Sequence, residues 1–265
     1  MNRVVALLLA AALATPALGA EQVVDVPTRD GVTTSYLLVS EGSSPRYVLV
    51  SFVGSLGAMR LAARSSAGPL RFGPTANFLV RARTDFVDRD FADALVDAPS
   101  DQLPGGMSDA FRRSDMHVAD IRAVLADLHK RFPGAKFYLI GTSRGTISAA
   151  ALGAALATAI DGVVLTSAVT VPDRTGPGLS TFDFATLKGP VLLVHHIDDG
   201  CRSSPYSGAQ ALARRFPLIS VHGGDAPRSG PCDAASQHGY FGVEAPTVAA
   251  IKAWIDGRDY PRQVP

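Results

Sequence analysis

Between positions 47 and 222 the chain returns six times to a short apolar run: Tyr47 to Val53, Ala92 to Asp97, Lys136 to Gly141, Gly162 to Thr166, Val191 to His195 and Leu218 to His222. Several of these runs are continuous rather than alternating. A strand with apolar side chains at successive positions offers both faces to a core, as a parallel sheet covered by helices on both sides requires. Between the runs the spacing becomes helical. Met116, Ile121, Val124, Leu125 and Leu128 mark a helix predicted over Ser114 to Phe132, which Pro133-Gly134 ends. A second helix is predicted from Gly145 to Ala157. A last one runs from Val243 to Asp256, with Val248, Ile251, Trp254 and Ile255 on one face and Gly257 as its stop. This alternation of strand and helix is an α/β pattern with a mostly parallel central sheet. Upstream, Gln22 to Pro27 and Thr33 to Val39 flank the turn signal Thr28-Arg29-Asp30-Gly31 and predict an antiparallel hairpin at the sheet edge. Before the last crossover, the interval without a clear element, about Ser167 to Leu187, leaves room for only a small lid.

Composition narrows the function classes. With 265 residues, 47% of them hydrophobic and 18% charged, the chain is neither disordered nor fibrous, and it is long enough for one domain with its own core. A net charge of +1 and no basic run argue against nucleic acid as a partner. At the N-terminus, Arg3 precedes an apolar run from Val4 to Ala14, then Pro16 and the small residues Ala17, Gly19 and Ala20. This is the layout of a secretory signal peptide over residues 1–20, cleaved after Gly19 or Ala20. The apolar run falls short of the roughly 20 residues that span a bilayer, so no membrane span is expected after cleavage. Residues 21–265 are then one domain, periplasmic or secreted. Export changes how Cys201 and Cys232 are read. In an oxidising compartment the pair is expected to form a disulfide, worth ~3 to 4 kcal/mol in the chain-entropy account.

The sharpest chemical signal is Gly141-Thr142-Ser143-Arg144-Gly145, which follows a predicted strand and opens a predicted helix. A serine forced into a tight strand-to-helix turn has crowded backbone on both sides, so small residues are needed two positions away on each flank. The turn lifts the Ser143 hydroxyl above the sheet and aims the Arg144 amide at a developing oxyanion. A serine hydroxyl is a weak nucleophile unless a histidine takes its proton and a carboxylate orients that histidine. The run His195-His196-Ile197-Asp198-Asp199-Gly200-Cys201 leaves the C-terminal end of a predicted strand, where α/β sheets place their sites. Farther on, His238 lies in Ser236-Gln237-His238-Gly239-Tyr240-Phe241, ahead of the last helix. The paired histidines and aspartates invite a metal reading, but adjacent residues of a strand point to opposite sides and converge poorly. No metal is expected, and His195 is read as a support for the acid loop.

With Ser143, Asp199 and His238 in this order, the chain resembles the α/β-hydrolase superfamily over essentially its whole mature length. More narrowly it is similar to a group of exported bacterial serine hydrolases marked by GTSRGT, HHxDDGC and a late HGxFG-like segment, here Gly141 to Thr146, His195 to Cys201 and His238 to Gly242. The resemblance implies the α/β-hydrolase fold with helices on both faces of the sheet, and a Ser143-His238-Asp199 triad. Superfamily members commonly read V-H-G-x-x-D after this strand, which puts the acid at Asp199 and leaves Asp198 solvated or capping the loop. The resemblance also implies a second oxyanion amide after the third strand. Where family members carry glycines this chain has Phe52-Val53-Gly54-Ser55-Leu56-Gly57, and Ser55 is the choice, with Gly54 and Leu56 as alternatives.

The expected activity is hydrolysis of a small-molecule ester through an acyl-enzyme. An amidase or peptidase with the same triad is the alternative, and a non-catalytic binding protein on the same fold is a third. No cofactor is expected, since the chain carries no Walker A loop, no G-x-G-x-x-G after the first strand and no H-E-x-x-H. Cys201 and Cys232 stand two residues after Asp199 and six before His238, so a bridge would tie the acid loop to the base loop. The segment from Asp97 to Asp101 reads as a solvated loop leading to a helix cap at Ser114, or else as a wall of the substrate site. His117 and Asp120 read as exposed or satisfied side chains, and Asn77 as a residue serving the loop before its strand.

Overall fold

The computed structural model describes residues 20–61 and 77–265. The segment read as a signal peptide lies outside them, apart from Ala20. In chain order the elements are β1 (Ala20–Arg29), β2 (Val32–Ser40), β3 (Tyr47–Phe52), α1 (Phe78–Arg81), α2 (Arg83–Phe86), β4 (Phe91–Val96), α3 (Asp109–Arg112), α4 (Asp115–Arg131), β5 (Lys136–Thr142), α5 (Gly145–Ala155), β6 (Gly162–Thr166), β7 (Val191–His196), α6 (Tyr206–Leu212), β8 (Leu218–Val221), α7 (Glu244–Ile255) and β9 (Gln263–Val264).

The strands form one sheet in the order β1-β2-β4-β3-β5-β6-β7-β8-β9. β1 and β2 make the edge hairpin, turning at Gly31 with φ +67°, and β2 is antiparallel to β4; the remaining pairings are parallel. The continuous apolar runs bury both faces, as their composition required. Val48, Val50 and Phe52 of β3, with Leu139 of β5 and Leu165 of β6, pack against Ile121, Val124 and Leu128 of α4 and Ile147 and Leu152 of α5. The intervening positions, Leu49, Tyr138, Ile140, Val164, Leu192 and Val194, meet Val248, Ile251 and Ile255 of α7 on the opposite face, together with Phe78 and Phe86 of α1 and α2.

From β3 the chain moves outward to β4 and then back past β3 to β5. This reversal of strand order opens a crevice above the C-terminal ends of the central strands. The turns after β3, β5, β6 and β7 all meet there. Between β6 and β7 the one helical element is a 3-10 turn at Phe184–Thr186. Among the described residues no helix is long and apolar enough to cross a membrane.

Several local expectations shift. The helix predicted to reach Ala157 ends at Ala155. Ser114 does cap α4, its hydroxyl accepting the His117 amide. Asp97 is not solvated: it is 1% exposed, and its carboxylate accepts the amides of Met59 at 2.5 Å and Leu61 at 2.7 Å. It thereby shapes the chain leading away from β3. Asn77 caps α1 through the Leu79 amide instead of serving a strand. Asp120 is fully buried and satisfied, accepting from Thr28 and Arg29. His117 is buried against Ser148, with its Nδ1 unpartnered.

Candidate active site

β5 ends at Thr142 and α5 begins at Gly145, so Ser143 and Arg144 must turn the chain between them. Ser143 takes φ +53°, a left-handed conformation unfavourable for a side-chain-bearing residue, and its amide is tied to Thr166 O at 3.0 Å. The two flanking glycines are sterically required. A Cβ on Gly141 would lie 2.3 Å from Gly145 O, and one on Gly145 would lie 1.9 Å from Phe52 O. The Arg144 amide finds no acceptor among the described residues. Its side chain pairs with Asp109 and Asp173, holding α3 and the loop after β6 against the turn.

Opposite the serine, the chain leaving β7 brings Asp199 to His238, with Nδ1 2.9 Å from Asp199 Oδ2. A carboxylate only accepts, so Nδ1 carries the proton and Nε2 of the neutral ring is a bare lone pair. That Nε2 is buried and has no hydrogen-bond partner among the described residues. His238 and Ser143 line the same cavity. Of the adjacent carboxylates, Asp199 is the one that meets His238. The Asp199 side chain is fully buried, while Asp198 is exposed and only its amide is engaged, by His196 Nδ1.

Asp199 is surrounded by donors. Oδ2 also accepts from Ser204 Oγ at 3.1 Å and His195 Nε2 at 3.2 Å, and Oδ1 accepts the Cys201 amide at 2.9 Å. Burial pushes this carboxyl up, but the hydrogen bonds from His195 and His238 outweigh it and hold Asp199 well below the usual carboxylate range. His195 thus supports the acid loop as its position suggested, and it also donates to Ser204 O at 2.9 Å. His196 turns the other way and bonds Gly223 O. Among the described residues no cluster of three His, Cys, Asp or Glu side chains has the placement to hold a metal.

Four residues to which the sequence assigns no role hold this pair. Ser204, fully buried, places Oγ 2.9 Å from His238 Nδ1, so the imidazole proton is shared between serine and carboxylate. Tyr240, at φ +57°, donates to Val194 O and accepts the Ser167 amide, while Ser167 Oγ bonds His238 O at 2.8 Å. Arg81 reaches across from α1 to the carbonyls of Ala234 and Gly239, which bracket His238. Tyr240 was legible in part, because a tyrosine two residues from a candidate base stands in a predicted loop where burial would require a partner.

Cys201 and Cys232 are joined by a disulfide. It links the residue whose amide caps Asp199 to a residue in the cavity wall beside Asp233 and Ala234. Intact mass is expected to rise by about two units on reduction. The Cys201→Ser/Cys232→Ser double variant should melt lower by on the order of 10 °C, from a few kcal/mol of lost chain restraint in a domain of this size. An unchanged melting temperature would mean that the bridge contributes nothing to stability.

The cavity measures about 460 Å³ and is lined mainly by apolar groups, with Val53, Leu56, Met59, Phe78 and Leu103 along its walls. Leu103 and Pro104 make the stretch after β4 part of that wall. Gly54 abuts the Ser143 turn, where an added Cβ would stand 2.9 Å from Ser143 Cβ. The next two amides, of Ser55 and Leu56, have no acceptor among the described residues. Ser55, at φ +51°, Arg60, at φ +58°, and Ser167, at φ +46°, join Ser143 and Tyr240 as the five non-glycine residues with positive φ among those described. All five either line the cavity or hold His238, so backbone strain is concentrated at this site.

No family model matches the chain, and no curated protein matches its sequence. Solved structures match its fold. Est1E from Butyrivibrio proteoclasticus superposes with a TM-score of 0.58 at 14% identity, over 89% of this chain and 98% of that one. A serine hydrolase without a lid from Xanthomonas campestris gives 0.56 at 12% identity, over 91% and 96%. Dienelactone hydrolase from Anabaena variabilis gives 0.54 at 15% identity, again over 91% and 96%. At such identities the likeness is one of fold, and the chain has the α/β-hydrolase fold.

Proposed function

We propose that this α/β-hydrolase fold carries a serine hydrolase that cleaves carboxylic esters of small molecules, with Ser143 as nucleophile, His238 as general base and Asp199 as its orienting acid. The observation that carries the reading is the buried Asp199–His238 hydrogen bond, which leaves a bare, unpartnered Nε2 in the cavity that Ser143 also lines. In the forward step Ser143 Oγ bonds to the substrate carbonyl carbon while Nε2 takes the hydroxyl proton. The carbonyl oxygen becomes an oxyanion that the amides of Arg144 and Ser55 receive. Collapse of this intermediate breaks the C–O bond, and the imidazolium returns its proton to the leaving alkoxide. A water activated by the same Nε2 then hydrolyses the acyl-enzyme and regenerates the serine. The apolar walls suit an aliphatic or aromatic acyl group. A cold-adapted esterase from an Arctic intertidal metagenomic library is similar in fold, and Est1E, also similar in fold, has been solved with ferulic acid bound.

The same reading has the protein exported to the periplasm or the exterior. Its support is the N-terminal sequence and the Cys201–Cys232 pair, since oxidising compartments preserve such bridges.

A panel of p-nitrophenyl esters of graded acyl length, run beside aminoacyl anilides, tests the reaction class. Ester turnover should exceed anilide turnover at least roughly a hundredfold, because the amine leaving group demands fuller protonation in the transition state. Anilides cleaved as fast as esters would make the protein an amidase. Turnover of neither would favour a binding protein.

A further inference from the structure

Arg112, the last residue of α3, is fully buried, yet no carboxylate among the described residues forms an ion pair with it. Asp109, the acidic group that acts on it electrostatically, is already taken up by the Arg144 side chain and by the Gly178 amide at 2.8 Å. One Arg112 nitrogen donates to Ser148 Oγ at 2.9 Å and the other to the carbonyl of Ser55 at 3.1 Å; Nε has no partner. The guanidinium lies so close under the loop that a Cβ on Gly57 would stand 2.7 Å from it. Burial pushes its pKa down, to about 10, and at neutral pH it is still a cation.

The loop it touches is the one beside Ser143. Gly54 O accepts the Gly57 amide at 3.0 Å and closes a tight turn, with Ser55 at φ +51° on its first corner. Leu56 O accepts the Met107 amide, and Gly57 O accepts that of Ala98. Every carbonyl from Gly54 to Gly57 is therefore engaged, and Arg112 holds the one that belongs to Ser55. In a trans peptide, N–H and C=O point opposite ways, so pinning these carbonyls also fixes where the amides of Ser55 and Leu56 point.

We infer that Arg112 is the positioning residue of the oxyanion loop, and that its unpaired buried charge is complemented when the substrate carbonyl becomes an oxyanion. The inference rests on the proposed hydrolase reading and extends it to a residue outside the triad. A buried cation without a counter-ion is unfavourable in the resting protein. Negative charge that forms nearby only in the transition state then gains an attraction which the neutral substrate does not, and such an interaction acts on kcat. Arg112 also polarises the Ser55–Leu56 peptide through its carbonyl; this strengthens the Leu56 N–H, the alternative donor, and reaches the Ser55 N–H only by fixing the turn that carries it.

The test compares wild type, Arg112→Met and Arg112→Lys in kcat and KM on a p-nitrophenyl ester, with active sites titrated by a fluorophosphonate and melting temperatures measured alongside. Arg112→Met should lose roughly 10- to 100-fold in kcat per titrated site, with KM within about threefold, as expected for disturbing one side of an oxyanion hole. Its melting temperature should hold or rise, because an unpaired buried charge has gone. Arg112→Lys should recover part of the rate by restoring charge without the fork. Wild-type kcat per titrated site in Arg112→Met, or a rate lost wholly through KM, would overturn the inference. If Arg112→Met does not fold, Arg112→Lys decides alone: a lower kcat at unchanged KM supports the role and wild-type kcat rejects it. A wild-type protein that fails to react with the fluorophosphonate would overturn the hydrolase reading and this inference with it, whereas normal labelling with no Arg112 effect overturns the inference alone.

Discussion

Replacing Ser143 by alanine should lower kcat on a p-nitrophenyl ester at least roughly a thousandfold while leaving KM and the fold in place. The turn at Ser143 is imposed by its surroundings: Gly141 and Gly145 allow the close approach, and Thr166 O holds the amide. None of these contacts involves the serine hydroxyl. Alanine therefore inherits the same backbone, and the variant should melt within a few degrees of wild type. What disappears is the hydroxyl of a residue that lines the same cavity as His238, whose Nε2 is left without a partner. The oxyanion amides and His238 remain, so a small residual rate through direct attack by water is expected. Steady-state kinetics with circular dichroism check both halves, and a variant within tenfold of wild type would remove Ser143 from the mechanism.

The neighbouring carboxylates should separate just as sharply. Asp199→Asn is expected to lose roughly a thousandfold or more in kcat, and Asp198→Asn less than about threefold. Asp199 accepts four donors, from His238, Ser204, His195 and the Cys201 amide. An asparagine amide has one oxygen and one NH2 group, so at least one of these donors would face another donor. The imidazole can escape by moving its proton from Nδ1 to Nε2, and an Nε2 that carries a proton cannot accept one from Ser143. Held well below its ordinary 3.8, Asp199 is ionised throughout the neutral range, so the variant removes a charge that is always present. Asp198 is exposed and contributes no side-chain bond to His238. Comparing kcat of the two variants on one substrate is sufficient, and the reverse ranking would move the acid role to Asp198.

How much of this was legible in the sequence depends on whether a local pattern carried it. The central strands were readable because residues such as Val48 and Leu49 must both be apolar when helices cover both faces. The turn at Ser143 was readable because its steric demand falls on Gly141 and Gly145 at fixed spacing. The short helices α1, α2 and α3, of four residues each, show no period that a pattern could reveal. Arg112 and Arg113 stand side by side, and nothing local says which turns inward; the decision belongs to the packing of α3 on Gly57 and Ser148. Ser204 was hidden for a related reason. A serine five residues after the acid becomes its partner only because the loop after β7 folds back, a shape fixed by His195 and the disulfide. Arg81 lies more than 150 residues from the loop it clamps, beyond any local signal.

The central claim is that Ser143 is activated by His238, and covalent labelling tests it most directly. Wild-type protein treated with a fluorophosphonate, digested and sequenced by mass spectrometry should carry one adduct, on the peptide containing Ser143. The adduct should vanish in Ser143→Ala and form at least roughly a hundredfold more slowly in His238→Ala, where the serine survives but its base does not. Absence of any adduct, an adduct on a different serine, or an undiminished rate in His238→Ala would contradict the account.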